Sequence, residues 1–495
     1  MDRREFLLHA QWAGGFWVLS SREGWAGDPP KQRAWPKSPF LEGNFGPVFK
    51  EVVHDQLRVE GQLPQGLEGL FVRNGPNPRF APRGQYHWFD GDGMLHGLFI
   101  QGGQARYRNR WVRTASFLEE EQAGEALYAG IMDPPTVNAS GIKSPLNKAN
   151  TSVVWHDGKL LALWEGGPPY EVQAPKLETV GPYTYLNKLK HAFTAHPKVD
   201  ARTGEMFLFG YNLVRKPYLQ YSVVNAKGQL CHTQPIDLEM PVMMHDFAIT
   251  ENYALFMDLP EVFDLKRAMR GQHPLIFMKE RGSRFGIVPR AGGAVRWFPS
   301  PACFVFHVLN AYEEGDEIIL HACRMAEFPD VLSADDGRKK KDDEGVNPIL
   351  YEWRFNLVNG KVHEGPIDHL PVEFPRVADA LVGRKTRFGY TGYTKGSEPM
   401  FCGFAKFDLA QKTKQLHALG AGRYAGEGVF VPKPDAKTEE DGWLLSLVYD
   451  QSRQSSELIV LDAADWLRPP LARVLLPVRV PFGFHGIWID AKFLS

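Results

Sequence analysis

The chain has 495 residues, with 57 Lys and Arg against 58 Asp and Glu, a formal net charge of −1 and a pI near 7.0. No stretch concentrates the basic residues, which excludes the electrostatic footprint of a nucleic-acid binder. Hydrophobic residues make up 43% and aromatics 12%, enough for a large core, and no apolar run reaches the roughly 18 residues of a membrane-spanning helix.

The chain opens Met1-Asp2-Arg3-Arg4-Glu5-Phe6-Leu7-Leu8, which is similar to a twin-arginine export signal. A moderately apolar stretch runs to about Leu19, and Gly24-Trp25-Ala26 offers a small-residue cleavage site. The expectation is a leader over residues 1–40 and a periplasmic protein. The alternative is a cytoplasmic leader on a protein peripheral at the membrane. No Pro/Ser-rich linker divides the remainder, so residues 41–495 are expected to form one domain.

From about Leu41 onward, short apolar or alternating runs are separated by Gly, Pro, Asn and Asp. Examples are 160–164, 206–211, 218–224, 253–257, 294–298, 303–309, 317–321, 350–355, 400–407, 443–449 and 457–461. Runs of this length, rich in β-branched and aromatic residues and closed by turn formers, read as strands. Asp157-Gly158, Asn359-Gly360 and Asp441-Gly442 lie between such runs and predict hairpins. Helical periodicity is confined to 117–128 and 261–269, and the charge run 339–344 reads as a solvated loop. So many short strands in one domain fit a β-propeller of six or seven blades better than a sandwich. A propeller also accounts for the aromatic segment Pro481-Phe482-Gly483-Phe484-His485-Gly486-Ile487-Trp488, because closing the ring pairs the two ends of the chain near the axis. The four cysteines, Cys231, Cys303, Cys323 and Cys402, show no C-x-x-C spacing and read as small core residues.

Four of the sixteen histidines sit in apolar company: His196, His245, His307 and His485. Their separations of 49, 62 and 178 residues are close to whole-blade steps, which would bring equivalent inner-strand positions to a common axis. Imidazole ligands suit Zn, Cu, Fe or Ni rather than Mg or Ca. Four neutral ligands leave a 2+ ion uncompensated, so carboxylates are expected just outside, each accepting a ligand's other ring N–H. Glu165, Glu373 and Glu427, in apolar or glycine-rich surroundings, are the candidates, with structural salt bridges as the alternative use for a buried glutamate.

Ordered along the chain, the motifs add up. They include Arg73-Asn74-Gly75-Pro76-Asn77-Pro78, Phe89-Asp90-Gly91-Asp92-Gly93-Met94-Leu95-His96-Gly97, His196-Pro197-Lys198 and Met244-His245-Asp246-Phe247. Further on come Phe306-His307-Val308-Leu309-Asn310-Ala311, Glu373-Phe374-Pro375-Arg376 and Gly483-Phe484-His485-Gly486. With them the chain resembles the carotenoid cleavage oxygenases from about Gly43 onward, nearer to bacterial apocarotenoid oxygenases than to lignostilbene dioxygenases. The resemblance implies a seven-bladed β-propeller, one face capped by loops and short helices, holding one non-haem Fe(II) per chain. His196, His245, His307 and His485 match its ligands, and Glu165, Glu373 and Glu427 match the glutamates behind them. Thr151 falls where relatives place a small residue beside the open coordination position. Asp90 and Asp92 mimic a calcium loop, but no Glu follows at the required place, so they read as a structural turn.

The family cleaves a carbon–carbon double bond with O2 into two carbonyl products, and no catalytic acid or base is assigned beyond the metal site. Relatives that cleave phenolic stilbenes carry a lysine directly before the first glutamate. Here that position is Trp164, an apolar wall for a polyene, so a carotenoid or apocarotenoid is expected ahead of a stilbene or an isoeugenol-like alkene. Trp88, Phe89, Trp111 and Phe304 are candidates for the tunnel lining. An apolar substrate taken from lipid predicts peripheral membrane contact near 260–277. A metal-free propeller used as a binding scaffold is the reading from another class.

Overall fold

The computed structural model describes residues 33–494 except 85, 129, 131–145, 271, 329–346 and 396–399. The Arg3-Arg4 leader and the 339–344 run lie outside the described residues. The strands group into seven antiparallel sheets around one axis, a seven-bladed β-propeller. Numbered in chain order, the innermost strands of blades two to four are Ser152–His156, Lys198–Val199 and Ala248–Ile249. Blade five begins with Phe304–Glu314, and blade seven with Val429–Pro432. The long strand Val362–Arg376 serves twice: its first part is the outer edge of blade five and its last residues pair with Phe388–Tyr393 as the inner strand of blade six.

Closure uses both ends of the described chain. Gly486–Asp490 pairs antiparallel with Gly69–Pro76 as the innermost strand of blade one. Arg58–Gly61 pairs with Ala472–Leu475 as the outermost strand of blade seven. The expected pairing of the two ends is thus found, with Phe482 and Phe484 buried beside it.

The burial pattern along each blade explains the strand sequences. Middle strands lie between two neighbouring blades and are largely apolar, as in Gly442–Asp450, where every residue is buried. Outer strands see solvent on one side and alternate, as in Leu230–Ile236. The core is therefore seven wedges, one at each blade-to-blade contact. Phe71, Leu98 and Ile100 of blade one meet Leu445 and Val460 of blade seven, and Phe207 and Phe209 of blade three meet Phe256 and Val288 of blade four.

Several expectations need correction. Residues 261–269 are a short strand, Glu261–Phe263, then one helical turn, Leu265–Met269, because Asp264 caps the backbone N–H groups of Lys266 and Arg267. With Leu275–Phe277 this strand forms a hairpin inserted in blade four. The helix expected at 117–128 spans Ala115–Ala123. Thr114 caps its start, Gly124 ends it with φ at 72°, and Leu127 and Tyr128 instead donate back to Glu120. Asp157-Gly158 is a tight hairpin turn with both residues at positive φ, whereas Asp441-Gly442 closes a longer loop between Val429–Pro432 and Gly442–Asp450. The strand expected at 294–298 is Arg296–Ser300. Cys231 is exposed rather than core. Asp92 pairs with Lys148 at 2.7 Å, and Asp90 accepts from the backbone N–H of His87, consistent with a structural turn.

Candidate metal centre

Each blade delivers one residue to the axis at or just before its innermost strand. In order they are Thr151, His196, His245, His307, Glu373, Glu427 and His485. Seven strand ends arranged around one axis bring residues far apart in sequence to one centre. Spacings of 66 residues from His307 to Glu373 and 58 from Glu427 to His485 are single-blade steps within the 178-residue interval.

The four imidazoles meet. One nitrogen of each lies within 4.8 Å of the others. The Nε2 atoms of His196 and His245 are 3.0 Å apart, and the His196 ring centroid is 4.5 Å from that of His485 and 5.0 Å from that of His307. Two nitrogens each roughly 2.1 Å from one ion, at right angles, stand about 3 Å apart, so the closest pair has the spacing of neighbouring ligands. His307 Nε2 is buried with no protein partner, an atom that a metal would satisfy.

The other ring nitrogens face carboxylates. His245 Nδ1 lies 2.7 Å from Glu165, His307 Nδ1 2.6 Å from Glu373 and His485 Nδ1 3.0 Å from Glu427. These contacts make Nδ1 the N–H donor and leave Nε2 free for a metal. Glu427 also accepts from the backbone N–H of Gly486 at 2.9 Å and faces Arg376 at 3.7 Å. Burial alone would raise the Glu427 pKa, but Arg376 and then His485 outweigh it and hold the carboxyl below its usual range. Burial, then the other three imidazoles, pushes the His196 pKa well down, and His485 is pulled to about 4, chiefly by burial. At His307 burial also lowers the pKa, but the Glu373 carboxylate outweighs it, for a net rise. His196 and His485 are therefore held as neutral imidazoles, the form that binds a metal.

A pH dependence follows for the metal-stripped protein. The unfolded chain binds protons on His196 and His485 below the ordinary histidine pKa while the folded chain resists them, so stability falls as pH drops from about 6.5 toward 4. His307 acts in the opposite sense, so the loss is carried by the other two. Melting temperatures at pH 7 and pH 5 should differ less for His485→Gln than for the unaltered chain; equal differences would refute this account.

Aromatic side chains flank the metal pocket on two sides. Phe374 lies 5.2 Å from His307 and 4.8 Å from His485, and joins Phe401, Phe482, Phe484, Trp88 and Phe89. Phe306 lies 5.5 Å from His245 and packs on Phe304 and Phe328. Of the expected lining residues, Trp88, Phe89 and Phe304 are in these walls, whereas Trp111 packs away from them against Met94 and Phe117. Trp164 is half-buried and lies over Gly166, and the Thr151 carbonyl accepts from the backbone N–H of His485 at 3.2 Å. A cavity of about 360 Å³ opens at His196, His307 and His485; its walls are mostly apolar, with Val308, Leu309 and Ile487 among them, and they also hold Lys198, which pairs with Asp246 at 2.7 Å. Tyr211, which donates to Glu165 at 2.7 Å, and Arg376 were not singled out from sequence.

The family model described as "Retinal pigment epithelial membrane protein" matches residues 45–490. The chain is 40% identical to carotenoid 9,10(9′,10′)-cleavage dioxygenase 1 of Arabidopsis thaliana, over 92% of this chain and 90% of the relative. It is 34% identical to a carotenoid cleavage oxygenase of Mycobacterium tuberculosis, over 92% and 98%. Among solved structures, the lignostilbene dioxygenase of Pseudomonas brassicacearum superposes with a TM-score of 0.85 at 28% identity, covering 93% of this chain and all of the other. The cobalt-substituted Synechocystis apocarotenoid oxygenase gives 0.80 at 29%, covering 90% and 97%. With its fold, its histidine cluster and these matches together, the chain belongs to the carotenoid cleavage oxygenase family.

Proposed function

We propose that this carotenoid-cleaving dioxygenase uses one ferrous iron, held by His196, His245, His307 and His485, to split the 9,10 double bond of a carotenoid or apocarotenoid. The observation that carries the reading is the match, over nine-tenths of both chains, to relatives named for that bond. The four-histidine cluster is intact in this chain. The reaction balances as one alkene and one O2 giving two carbonyl groups. Because C9 bears a methyl group, the products are a methyl ketone and an aldehyde.

Ferrous iron supplies O2 binding and activation, chemistry that suits an imidazole site. The chain's part is positional. Glu165, Glu373 and Glu427 fix the imidazoles as neutral ligands. The aromatic walls around Phe374 and Phe306 bind a polyene on either side of the metal, exclude water, and hold one internal alkene at the centre. The similarity to a lignostilbene dioxygenase favours a phenolic alkene as the second reading. Against it, Trp164 offers no ammonium for a phenolate, and Lys198, at the axial cavity, is already paired with Asp246.

Product analysis of Fe(II)-loaded protein in air tests both. Incubation with an apocarotenal, an intact carotenoid, resveratrol and isoeugenol should yield a thirteen-carbon methyl ketone from the cyclic carotenoid. Hydroxybenzaldehydes or vanillin alone would reverse the substrate assignment, and carotenoid products of another length would move the bond.

An apolar substrate also supports peripheral membrane contact through the hairpin and helix of blade four. Met269 is 54% exposed there, beside Lys266 and Arg267. Met269→Asp should reduce flotation with anionic liposomes severalfold; unchanged flotation would reject this contact.

A further inference from the structure

The three carboxylates behind the histidines are held in different ways. Glu427 is fixed by the backbone N–H of Gly486 and by Arg376, which shares its charge. Glu373 receives both His307 Nδ1 and the backbone N–H of Phe374 on one oxygen, leaving the other buried without a partner. Glu165 is braced by a side chain: Tyr211 donates from its hydroxyl to Oε1 at 2.7 Å, while Oε2 receives His245 Nδ1 at 2.7 Å.

Glu165 also reaches the site from a different place. It follows Lys159–Leu163, the second strand of blade two, rather than an inner strand end as Glu373 and Glu427 do. Its side chain must therefore span to His245 from outside the ring of inner strands. A carboxylate held through one oxygen can still swing about its side-chain torsions. A second hydrogen bond on the other oxygen fixes both its position and its plane.

We infer that Tyr211 is a positioning residue for the metal centre: its hydroxyl clamps Glu165, and Glu165 in turn sets the orientation of His245. This rests on the reading that the four histidines hold a metal. Tyr211 suits the role. It ends Met206–Tyr211 of blade three, where its ring lies 6.4 Å from that of Phe209. Burial, then the Glu165 carboxylate, raises its pKa well above the ordinary phenol value, so it remains a donor at working pH. A neutral donor steadies the carboxylate without sharing its charge, which stays available to the imidazole. The relay Tyr211–Glu165–His245 spans blades three, two and four, so the orientation of one ligand depends on how three blades sit together. The His196–His245 spacing of 3.0 Å is the first distance to change if it loosens.

The test is a double-mutant cycle read by metal affinity rather than turnover. Co(II) is titrated into the metal-free full chain against a competing chelator, and binding is followed by the ion's visible absorption. Tyr211→Phe should weaken binding by about tenfold, the lower end for groups that orient a ligand. Glu165→Gln should weaken it further, and the double variant should bind no more weakly than Glu165→Gln alone. Tyr221→Phe is the control. Tyr221 is buried on the neighbouring strand of the same blade, and its hydroxyl donates to the Arg290 carbonyl at 2.9 Å, off the relay. That variant should bind Co(II) like the unaltered chain even where its melting temperature falls. The inference is overturned if Tyr211→Phe retains full affinity, if its effect adds to that of Glu165→Gln, or if Tyr221→Phe weakens binding equally. Failure of the unaltered chain to bind Co(II) would instead strike at the metal reading itself.

Discussion

His245→Ala is expected to leave a folded propeller that holds less than about a tenth of the normal metal and cleaves substrate at least about a thousandfold more slowly. The rate estimate follows from the several kcal/mol that a metal contributes to its reaction. His245 Nε2 lies 3.0 Å from His196 Nε2, and removal of the imidazole also strands the Glu165 carboxylate, whose other partner is Tyr211. The fold should survive because stability resides in the apolar wedges between blades, and the change leaves their side chains in place, including the Phe306 that His245 touches. Metal analysis, circular dichroism and product formation on one preparation decide the matter. Full metal occupancy would show that His245 is not a ligand, and loss of the β-sheet signal would show that the centre is structural.

Glu427→Gln should cost roughly 10- to 100-fold in metal affinity, less than His245→Ala but at the upper end for a residue behind a ligand. Glu427 carries three jobs at once: it accepts from His485 Nδ1 and from the Gly486 N–H, and it faces the guanidinium of Arg376. A glutamine can keep one acceptor but presents an N–H₂ to either the imidazole or the backbone. It also removes the buried counter-charge of Arg376, whose other ion-pair partner, Asp379, is more than half exposed. Glu373→Gln disturbs no such pair and should weaken the site less. Chelator competition on the two variants separates them; equal affinities would mean that Arg376 plays no part.

The candidate ligands were legible in the sequence because a buried metal site needs polar residues in apolar surroundings. His307, between Phe306 and Val308, is such an anomaly, and so is His485 after Phe484. The order of motifs carried the fold further than strand patterning did. Two innermost strands, Lys198–Val199 and Ala248–Ile249, are two residues long, and no alternation can be read from two residues. The double use of Val362–Arg376 was equally hidden, since one continuous strand carries two neighbouring blades. Residues 261–269 misled because Lys266, Arg267 and Met269 suit a helix, while pairing of Glu261–Phe263 with Leu275–Phe277 is decided by tertiary contact. Tyr211 escaped notice because a tyrosine ending an apolar strand looks like any core aromatic until the carboxylate beneath it is known.

The ring closure bears on how the protein is made. Arg73, on the strand that receives Gly486–Asp490, donates to the Pro481 carbonyl across 408 residues of sequence. At ribosomal speeds of about 5–20 residues per second, the inner edge of blade one waits roughly 20–80 seconds for its partner. During that interval its unpaired N–H and C=O groups are a template for misassociation. The last of the four histidines arrives on the same closing segment, so His196, His245 and His307 emerge well before a complete set exists. A centre that needs all four imidazoles can thus be completed only after synthesis has passed His485 and the circle has shut.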